Sequence, residues 1–267
     1  MQAETTRNEG PWALVTGASS GIGAELARIF AAQGYSVALA ARSVSKLEEL
    51  AAELANRHKA RSHVIQSDLA DPDTPPRMYE ELEKLGITLE VLVNNAGFGL
   101  RGFFAESNAG RLLEMMQVNM IALTHLTRLF LPDMIARRTG RILNVASTAG
   151  FVPGPTMAVY YASKAYVVSL TDALANELAG TGVSITALCP GPTHTGFAET
   201  AGTSNARLFK KSSVMDAASV ARIGFEGLMA GKTIVIPGWR NRSVMAAARI
   251  APRKMLAGIT RGLNSPE

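Results

Sequence analysis

Cysteine is almost absent from this chain, because Cys189 is the single cysteine in 267 residues. One thiol cannot form an intramolecular disulfide, which excludes a disulfide-stapled secreted scaffold and favours a reducing compartment. The first ten residues, MQAETTRNEG, lack the basic and apolar pattern of a secretory signal. We therefore expect a cytoplasmic protein.

Long apolar runs and metal-ligand patterns are also missing. No stretch of about 18 consecutive apolar residues is present, so the sequence predicts no transmembrane segment. The four histidines stand at positions 58, 63, 125 and 194, a spacing that matches no metal-binding motif. The sequence therefore predicts no metal site, and we expect His194 to be a structural or exposed loop residue.

Charge is distributed unevenly along the chain. Residues 1–200 contain 16 Lys and Arg against 19 Asp and Glu, whereas residues 201–267 contain 11 against 3. The excess positive charge thus belongs to the C-terminal part. Because no aromatic residues are interleaved with it and no binding module is recognisable, nucleic-acid binding is not predicted. A solvated basic face or an acidic partner fits this pattern better.

The apolar content of 47% over 267 residues is enough for a large α/β core. Short β-rich segments alternate with helical patterns, which is typical of a doubly wound parallel sheet with helices on both faces. We expect residues 1–267 to form a single Rossmann-type domain with seven parallel strands. The predicted strands are 12–16, 36–41, 62–69, 89–97, 140–147, 183–189 and 233–237, and the predicted helices include 44–59, 72–86, 106–138 and 157–180.

The first predicted strand leads into a glycine-rich turn, Thr16-Gly17-Ala18-Ser19-Ser20-Gly21-Ile22-Gly23, and then into a helix. The glycines allow a tight turn and a close approach of the backbone to a pyrophosphate, which then lies at the positive end of the helix. The flanking strand and helix favour a dinucleotide site over an ordinary turn. The predicted contacts come from Gly17, Ser19, Ser20, Gly21, Ile22 and Gly23.

The second strand ends at Ala41 and is followed by Arg42 and Ser43. An acidic residue at this place usually binds the free ribose hydroxyls of NAD(H), whereas an arginine accommodates the 2′-phosphate of NADP(H). Because the acid is missing and Arg42 is present, the sequence predicts NADP(H), with Arg42 and Ser43 as phosphate contacts. The alternative is a solvated arginine in front of a helix.

Two further strand ends carry candidate cofactor contacts. Asp68 lies at the end of the third predicted strand, where it could reach an adenine amino group, and Leu69 could pack on the ring. The fourth strand ends in Asn94-Asn95-Ala96-Gly97, whose amides can satisfy backbone groups while its small residues leave room for a ligand. The candidate contacts here are Asn94, Ala96 and Gly97, and a plain turn is the competing explanation.

The stretch from Ser147 to Lys164 carries a phenol and an ammonium four residues apart. Tyr160 and Lys164 lie on one face of the predicted helix, about 6 Å apart along its axis. A unit charge about 4 Å from the phenol is worth ~4 kcal/mol at an effective dielectric of 20, or roughly three pKa units in favour of the phenolate. Tyr161, three residues before Lys164, is an alternative partner. The spacing predicts acid–base chemistry.

Together these motifs resemble the short-chain dehydrogenase/reductase family, in the branch with chains of about 250 residues. The resemblance extends across residues 12–240, and its order and spacing are specific although each part is common. It identifies Tyr160, rather than Tyr161, as the family's tyrosine. The matching motifs are Thr16-Gly17-x-x-x-Gly21-x-Gly23, Asn94-Asn95-Ala96-Gly97, Asn119, Ser147, Tyr160-x-x-x-Lys164 and Pro190-Gly191-x-x-x-Thr195.

The resemblance implies hydride transfer between a nicotinamide and a carbonyl or alcohol carbon. It implies that Tyr160 donates a proton to the carbonyl oxygen and that Ser147 hydrogen-bonds the same oxygen. Lys164 would bind the nicotinamide ribose and lower the pKa of Tyr160, while Asn119 would hold a water that links Lys164 to solvent. A homodimer or homotetramer is also implied. Further implied cofactor contacts are Pro190, Gly191, Thr193 and Thr195.

The substrate is expected to be apolar, because the segments that could wall the site are rich in apolar side chains. The loop 193–214 is expected to be a lid that orders on binding. The sequence thus predicts reduction of a ketone or aldehyde, or the reverse reaction. A 3-oxoacyl thioester (carrier-protein) reductase and a peripheral membrane lipid or steroid carbonyl reductase stay open as alternatives. The candidate substrate contacts are Phe98, Phe151, Met157 and Phe197.

Residues 240–267 continue past the seventh predicted strand as a basic extension. Three roles are open for it: an interfacial helix at a membrane surface, packing over the site, or packing against a partner subunit. Pro252 is expected to bend the segment.

Overall fold

The computed structural model describes residues 10–203 and 214–265. Its strands are β1 (Trp12–Thr16), β2 (Ser36–Ala41), β3 (Ser62–Gln66), β4 (Leu89–Asn94), β5 (Gly140–Val145), β6 (Val183–Leu188), β7 (Thr193–His194), β8 (Met215–Asp216) and β9 (Ile234–Val235). Seven of them form one parallel sheet in the order β3-β2-β1-β4-β5-β6-β9, and β7 pairs with β8. The predicted α/β fold with a seven-stranded parallel sheet is confirmed.

Helices occupy both faces of this sheet. In chain order they are α1 (Gly21–Ala32), α2 (Val44–His58), α3 (Thr74–Lys84), α4 (Ala109–Met116), α5 (Leu123–Ala136), α6 (Ala158–Glu177), α7 (Phe197–Thr200), α8 (Ala217–Met229), α9 (Trp239–Ala248) and α10 (Arg253–Asn264). A short π-helical segment, Gln117–Ala122, which we call the π-turn, joins α4 to α5. Short 3₁₀ helices span Phe104–Glu106 and Thr148–Phe151.

Two apolar layers hold the helices to the sheet. Helices α1, α2 and α8 bury the apolar residues that recur at helical spacing against one face, and α3 and α5 do so against the other. The strands between these layers are buried on both faces, which explains their nearly continuous apolar sequences. The largest fully buried side chains include Leu26, Phe30, Leu47 and Leu54 on the first face and Met78, Leu82, Leu126 and Met134 on the second.

The strand order reverses between β1 and β4. On one side of this point the chain proceeds through β2 and β3, and on the other through β5 and β6. The connections on the two sides therefore diverge, and a crevice opens outside the carboxyl ends of the strands, where ligands bind in sheets of this type. The glycine turn and the segments after β4, β5 and β6 all meet at this edge.

Several predicted boundaries need correction. The third strand ends at Gln66 rather than at 69, because Asp68 folds into a local turn in which its Oδ1 accepts a hydrogen bond from Ala70 N at 3.1 Å. The fourth strand ends at Asn94 rather than at 97, because Thr16 Oγ1 accepts from Asn95 N and Ala96 N at 3.0 and 3.1 Å. The seventh strand of the sheet is only Ile234–Val235.

The predicted helix over 106–138 is interrupted. Asn108 begins α4 as an N-cap, its side chain accepting from Arg111 N at 3.0 Å, and the π-turn then separates α4 from α5. Helix α5 continues through Pro132 to Ala136. Helix α8, the β7–β8 pair and the division of the extension into α9 and α10 were not predicted.

The C-terminal extension packs beside the carboxyl edge of the sheet. Pro252, in an extended conformation, precedes α10 and separates it from α9. Thr260 Oγ1 donates to Pro153 O at 2.6 Å, and Asn264 Nδ2 donates to Pro155 O at 3.0 Å. Packing over the loop that precedes α6 is thus observed. Within residues 10–203 and 214–265, none of the helices has the length and hydrophobicity needed to cross a bilayer.

Leu126 tests the contribution of the second apolar layer to stability. Leu126 is fully buried, whereas Leu113 is 64% exposed. We expect Leu126→Ala to lower the free energy of unfolding by about 2 to 5 kcal/mol, because it removes buried methyl groups and leaves a cavity. Leu113→Ala, the matched control, should change it by less than about 0.5 kcal/mol. Urea unfolding measures both, and equal effects would contradict this description of the core.

Candidate active site

The glycine turn after β1 is shaped for close approach by a ligand. Gly17 and Gly21 have φ angles of +66° and +57°, which favour glycine. A Cβ on Gly23 would lie 2.5 Å from Gly17 O, so the turn is too tight for a side chain there. Ser20 precedes α1 without a side-chain capping bond, and the first turn of α1 contains no acidic residue. The N–H groups of that turn are therefore available to an anion.

Asn95 and Thr16 fix the glycine turn to the end of β4. Asn95 Nδ2 donates to Thr16 O at 2.8 Å and to Gly17 O at 3.2 Å. Thr16 Oγ1 donates to Val93 O at 3.2 Å while it accepts from the backbone after β4. These contacts satisfy the backbone groups that the ending strands leave free.

Asn119 holds the segment that follows β4 in place through hydrogen bonds to Phe98. Its Nδ2 donates to Phe98 O at 3.0 Å and to Ser163 Oγ at 3.1 Å, and its Oδ1 accepts from Phe98 N at 3.1 Å. Ser163 Oγ in turn donates to Tyr160 O at 2.7 Å. The π-turn that carries Asn119 is a distortion often found at functional sites. Asn119 therefore connects the segment after β4 to helix α6.

Tyr160 lies near the start of α6, beside Ser147. Its ring is 8% exposed and packs on Phe197, with centroids 5.2 Å apart. Burial raises the pKa of the Tyr160 phenol above its usual value, and a hydrogen bond with Ser147 opposes this shift. Ser147 Oγ also lies 3.3 Å from Pro190 O and accepts from Ala149 N at 3.1 Å. The phenol is accordingly neutral at pH 7.

Lys164 lies one turn further along α6 and is 6% exposed. Its Nζ donates to Val145 O at 2.7 Å and lies 5.9 Å from the centroid of the Tyr160 ring. Burial lowers the pKa of Lys164 to about 8, so most of the population is still charged at pH 7. The four-residue spacing thus brings the two groups together. The expected lowering of the Tyr160 pKa is not found, because desolvation of the buried phenol is the largest influence on this pKa and raises it.

Tyr161 points away from this pair. Its hydroxyl donates to Asn264 Oδ1 of α10 at 3.1 Å, and a Cβ on Gly154 would overlap its ring. Asn264 is 1% exposed. Tyr161 therefore belongs to the contact between α6 and α10, which leaves Tyr160 as the tyrosine beside Ser147 and Lys164.

An apolar cluster surrounds the Tyr160 ring. Of the four candidate substrate contacts, Phe98, Met157 and Phe197 belong to it. Phe151 does not, because it packs with Val167 and Val168 in a separate cluster beneath α6. Members that were not among the candidate contacts are Leu100, Leu112, Met115, Ala149, Val152, Val159 and Ala201.

A model of the short chain dehydrogenase family matches residues 11–239. The chain belongs to the short-chain dehydrogenase family. The suspected family resemblance is thus confirmed, and with it membership of a family of oxidoreductases that act on alcohol and carbonyl groups.

Individual family members resemble the chain over different lengths. A very-long-chain 3-oxoacyl-CoA reductase of Phaeosphaeria nodorum is 37% identical over 182 residues, which cover 66% of this chain and 53% of that protein. The chain therefore spans about half the length of that relative. A short-chain dehydrogenase of Sphingobium yanoikuyae in complex with NADPH has a TM-score of 0.81 at 30% identity, covering 90% of this chain and 93% of that chain. A Burkholderia phymatum family member in complex with NAD has a TM-score of 0.79 at 27% identity, covering 97% and 98%.

Not every predicted cofactor contact of this short-chain dehydrogenase faces the crevice. The Asn94 side chain is buried and donates to Thr127 Oγ1 at 3.1 Å and to Asn144 Oδ1 at 2.9 Å, so it does not point into the crevice. Leu69 is 7% exposed and belongs to the apolar layer on the second face. Strand alternation and helix packing, rather than the site, determine where these two side chains lie.

Other predicted contacts do reach the edge. Arg42 is exposed after β2, Ser43 precedes α2, and Asp68 is exposed after β3. The loop after β6 approaches the glycine turn, because a Cβ on Gly21 would lie 3.0 Å from Thr195 Cγ2. Thr193 Oγ1 closes that loop by donating to Gly191 O at 3.0 Å. Positions 204–213 of the predicted lid lie outside the described residues.

Lys164 should make stability depend on pH. Its pKa of about 8 in the folded chain is below the ordinary value of 10.5, so between these values the unfolded chain binds more protons. The contribution of Lys164 to the free energy of unfolding should therefore be least favourable below pH 8 and become more favourable towards pH 10. We expect the free energy of unfolding of the wild type, relative to Lys164→Met, to increase over this interval in urea titrations. The exposed control Lys84→Met should show no such increase, and a flat difference for Lys164 would contradict the assigned shift.

Proposed function

We propose that this short-chain dehydrogenase is an NADP(H)-dependent oxidoreductase that reduces a ketone or aldehyde on an apolar substrate, or catalyses the reverse reaction. The observation that carries the proposal is the neutral phenol of Tyr160 held between Ser147 and Lys164 at the carboxyl edge. The glycine turn shares this edge. A proton donor, an oxygen-binding hydroxyl and a place for a dinucleotide are thus adjacent.

The residues present fit a dinucleotide. The turn through Gly17, Gly21 and Gly23 leaves no room for side chains and presents the uncapped start of α1. These features suit a pyrophosphate. Gly97 leaves space beside Lys164, because a Cβ there would lie 3.5 Å from Lys164 Nζ. When bound, a reduced nicotinamide supplies the hydride that the carbonyl carbon receives.

Tyr160 would give its hydroxyl proton to the carbonyl oxygen, which becomes the alcohol oxygen. Burial keeps the phenol protonated before the reaction, which is the form that a general acid requires. Ser147 would donate a hydrogen bond to the same oxygen as negative charge develops there. The Lys164 ammonium would stabilise the tyrosinate that remains, since a positive charge favours the ionised phenol. A role for Asn119 through a bound water stays a prediction.

Arg42 supports NADP(H) over NAD(H). It is exposed at the end of β2, the place where an arginine can meet a 2′-phosphate. Among the described residues it has no salt-bridge partner, so its guanidinium is available. The relative from Sphingobium yanoikuyae, which binds NADPH, supports this choice, whereas the NAD complex of the Burkholderia phymatum protein shows that the fold alone does not decide it.

The apolar cluster around Tyr160 supports an apolar substrate. A second candidate reaction is reduction of a 3-oxoacyl thioester, because the Phaeosphaeria nodorum relative is a very-long-chain 3-oxoacyl-CoA reductase. NADPH oxidation measured against aldehydes, ketones, steroids and acyl thioesters distinguishes the two. The cytoplasmic location and the dimeric or tetrameric state stay predictions.

Tyr160 and Tyr161 form a matched pair for testing the proton donor. We expect Tyr160→Phe to lower kcat by at least about 100-fold, because general acid catalysis contributes about 10² to 10⁴. Tyr161→Phe should keep kcat and lose about 1 kcal/mol of stability with its hydrogen bond to Asn264. NADPH binding, followed by fluorescence, should survive in both. If Tyr161→Phe lost kcat and Tyr160→Phe did not, the assignment of the proton donor to Tyr160 would be wrong.

Arg42 tests the cofactor assignment. We expect Arg42→Asp to lower kcat/KM for NADPH relative to NADH by about 10-fold or more, because a hydrogen bond to a charged group contributes about 1.5 to 3 kcal/mol. The control Lys59→Gln removes an exposed positive charge from the far end of α2 and should leave the ratio unchanged. An unchanged ratio in Arg42→Asp would argue against the 2′-phosphate contact.

A further inference from the structure

Helices α9 and α10 and the corner between them present a surface of unneutralised positive charge. Residues 239–265 contain six basic residues and no Asp or Glu. Throughout the part of the chain that the structure describes, none of the six forms a salt bridge. The basic residues are Arg240, Arg242, Arg249, Arg253, Lys254 and Arg261.

The same surface exposes large apolar side chains. Trp239 at the start of α9 is 68% exposed, and Ile250 at the corner before α10 is 89% exposed. Val244, Met255 and Ile259 are each more than half exposed. We call these five side chains, together with the six basic ones, the C-terminal surface.

The contacts of α10 with the rest of the protein hold this surface outward. Thr260 and Asn264 are buried and bonded to the loop that precedes α6. At about 100° per residue, Met255 lies on the opposite side of the helix from Asn264, and Ile259 lies one turn from Met255. The exposed apolar stripe is therefore a fixed feature of the docked helix.

We propose that the C-terminal surface binds the surface of a lipid bilayer that contains anionic lipids. Positive charges attract anionic headgroups, and an exposed tryptophan and aliphatic side chains can enter the boundary between headgroups and acyl chains. The apolar side chains protrude from two helices and a corner, a shape that suits a deformable bilayer. Arg240 lies over the Trp239 ring at 5.4 Å, which keeps a cation beside the most amphipathic of these side chains.

The charge distribution decides between this partner and a second copy of the chain. Two copies joined through this surface would bring their basic residues together with no acidic residues of that segment to neutralise them. An anionic bilayer supplies many negative charges at once and requires no shape complementarity. The proposal concerns binding alone and does not depend on the proposed reaction.

Cosedimentation of the full chain with vesicles tests the charged part of the proposal. We expect binding to vesicles of phosphatidylcholine with phosphatidylglycerol, little binding to phosphatidylcholine alone, and release by salt. Arg253→Gln/Lys254→Gln should weaken binding about 30-fold, since each basic residue near an anionic surface contributes about 1 kcal/mol. The control Arg57→Gln/Lys84→Gln removes the same charge from exposed positions on α2 and α3, outside the C-terminal surface. Equal weakening by the control would overturn the proposal.

Ile250→Ser tests the apolar part and should weaken binding about 10-fold, because it removes a side chain that is 89% exposed and would enter the bilayer. Unchanged binding of Ile250→Ser, or no binding of the wild type, would overturn the proposal. Light scattering, which measures the oligomeric state, of the wild type and Trp239→Ser tests whether a second copy of the chain covers this surface instead. Conversion of an oligomer to a monomer by this change would make the surface a subunit interface instead.

Discussion

A path of buried and partly buried hydrogen bonds joins the glycine turn to helix α6, and the rest of the site depends on it. Asn95 bonds the glycine turn, the backbone runs from Asn95 to Phe98, and Asn119 clamps Phe98. Asn119 also bonds Ser163, which bonds Tyr160 O. The candidate cofactor turn and the candidate proton donor are thereby held at a fixed separation. Such a network is stabilising only while each member keeps its partners, because a buried polar group without one is costly.

Burial determines the protonation of the site more than the Tyr160–Lys164 spacing does. A Coulomb estimate from the spacing alone favours the phenolate, because it places both groups in a medium that solvates them. In the folded chain both are nearly inaccessible to solvent, so each is displaced towards its neutral form. The same desolvation affects Cys189, whose pKa rises to about 12 near Lys164. A neutral phenol and an ammonium with a lowered pKa therefore lie side by side at this edge of the sheet.

The sequence predicted the features that depend on local pattern. All seven sheet strands were located to within a few residues, and the four-residue spacing correctly predicted that Tyr160 and Lys164 lie close together, although it left Tyr161 as an alternative. The sequence did not predict side-chain directions that depend on tertiary contacts. The directions of the Asn94, Leu69 and Phe151 side chains are determined by packing against other segments of the chain. Helix α8 had a readable signal, since Asp216 caps it by accepting from Ser219 N at 2.7 Å and Val220 and Leu228 recur at helical spacing. The contact of Asn264 with Tyr161 joins residues 103 positions apart, and no sequence pattern indicates it.

The π-turn between α4 and α5 constrains how this segment can change in length. A helix turns by about 100° per residue, and the wider turn puts α4 and α5 out of phase with each other. Met115 consequently faces the Tyr160 cluster while Leu126 and Phe130 face the sheet. Removal of one residue from this turn would rotate α4 relative to α5, and either Met115 or the pair Leu126 and Phe130 would then no longer face its present neighbours. Ile121 is half exposed within this turn, so the fold should tolerate its substitution better than its deletion.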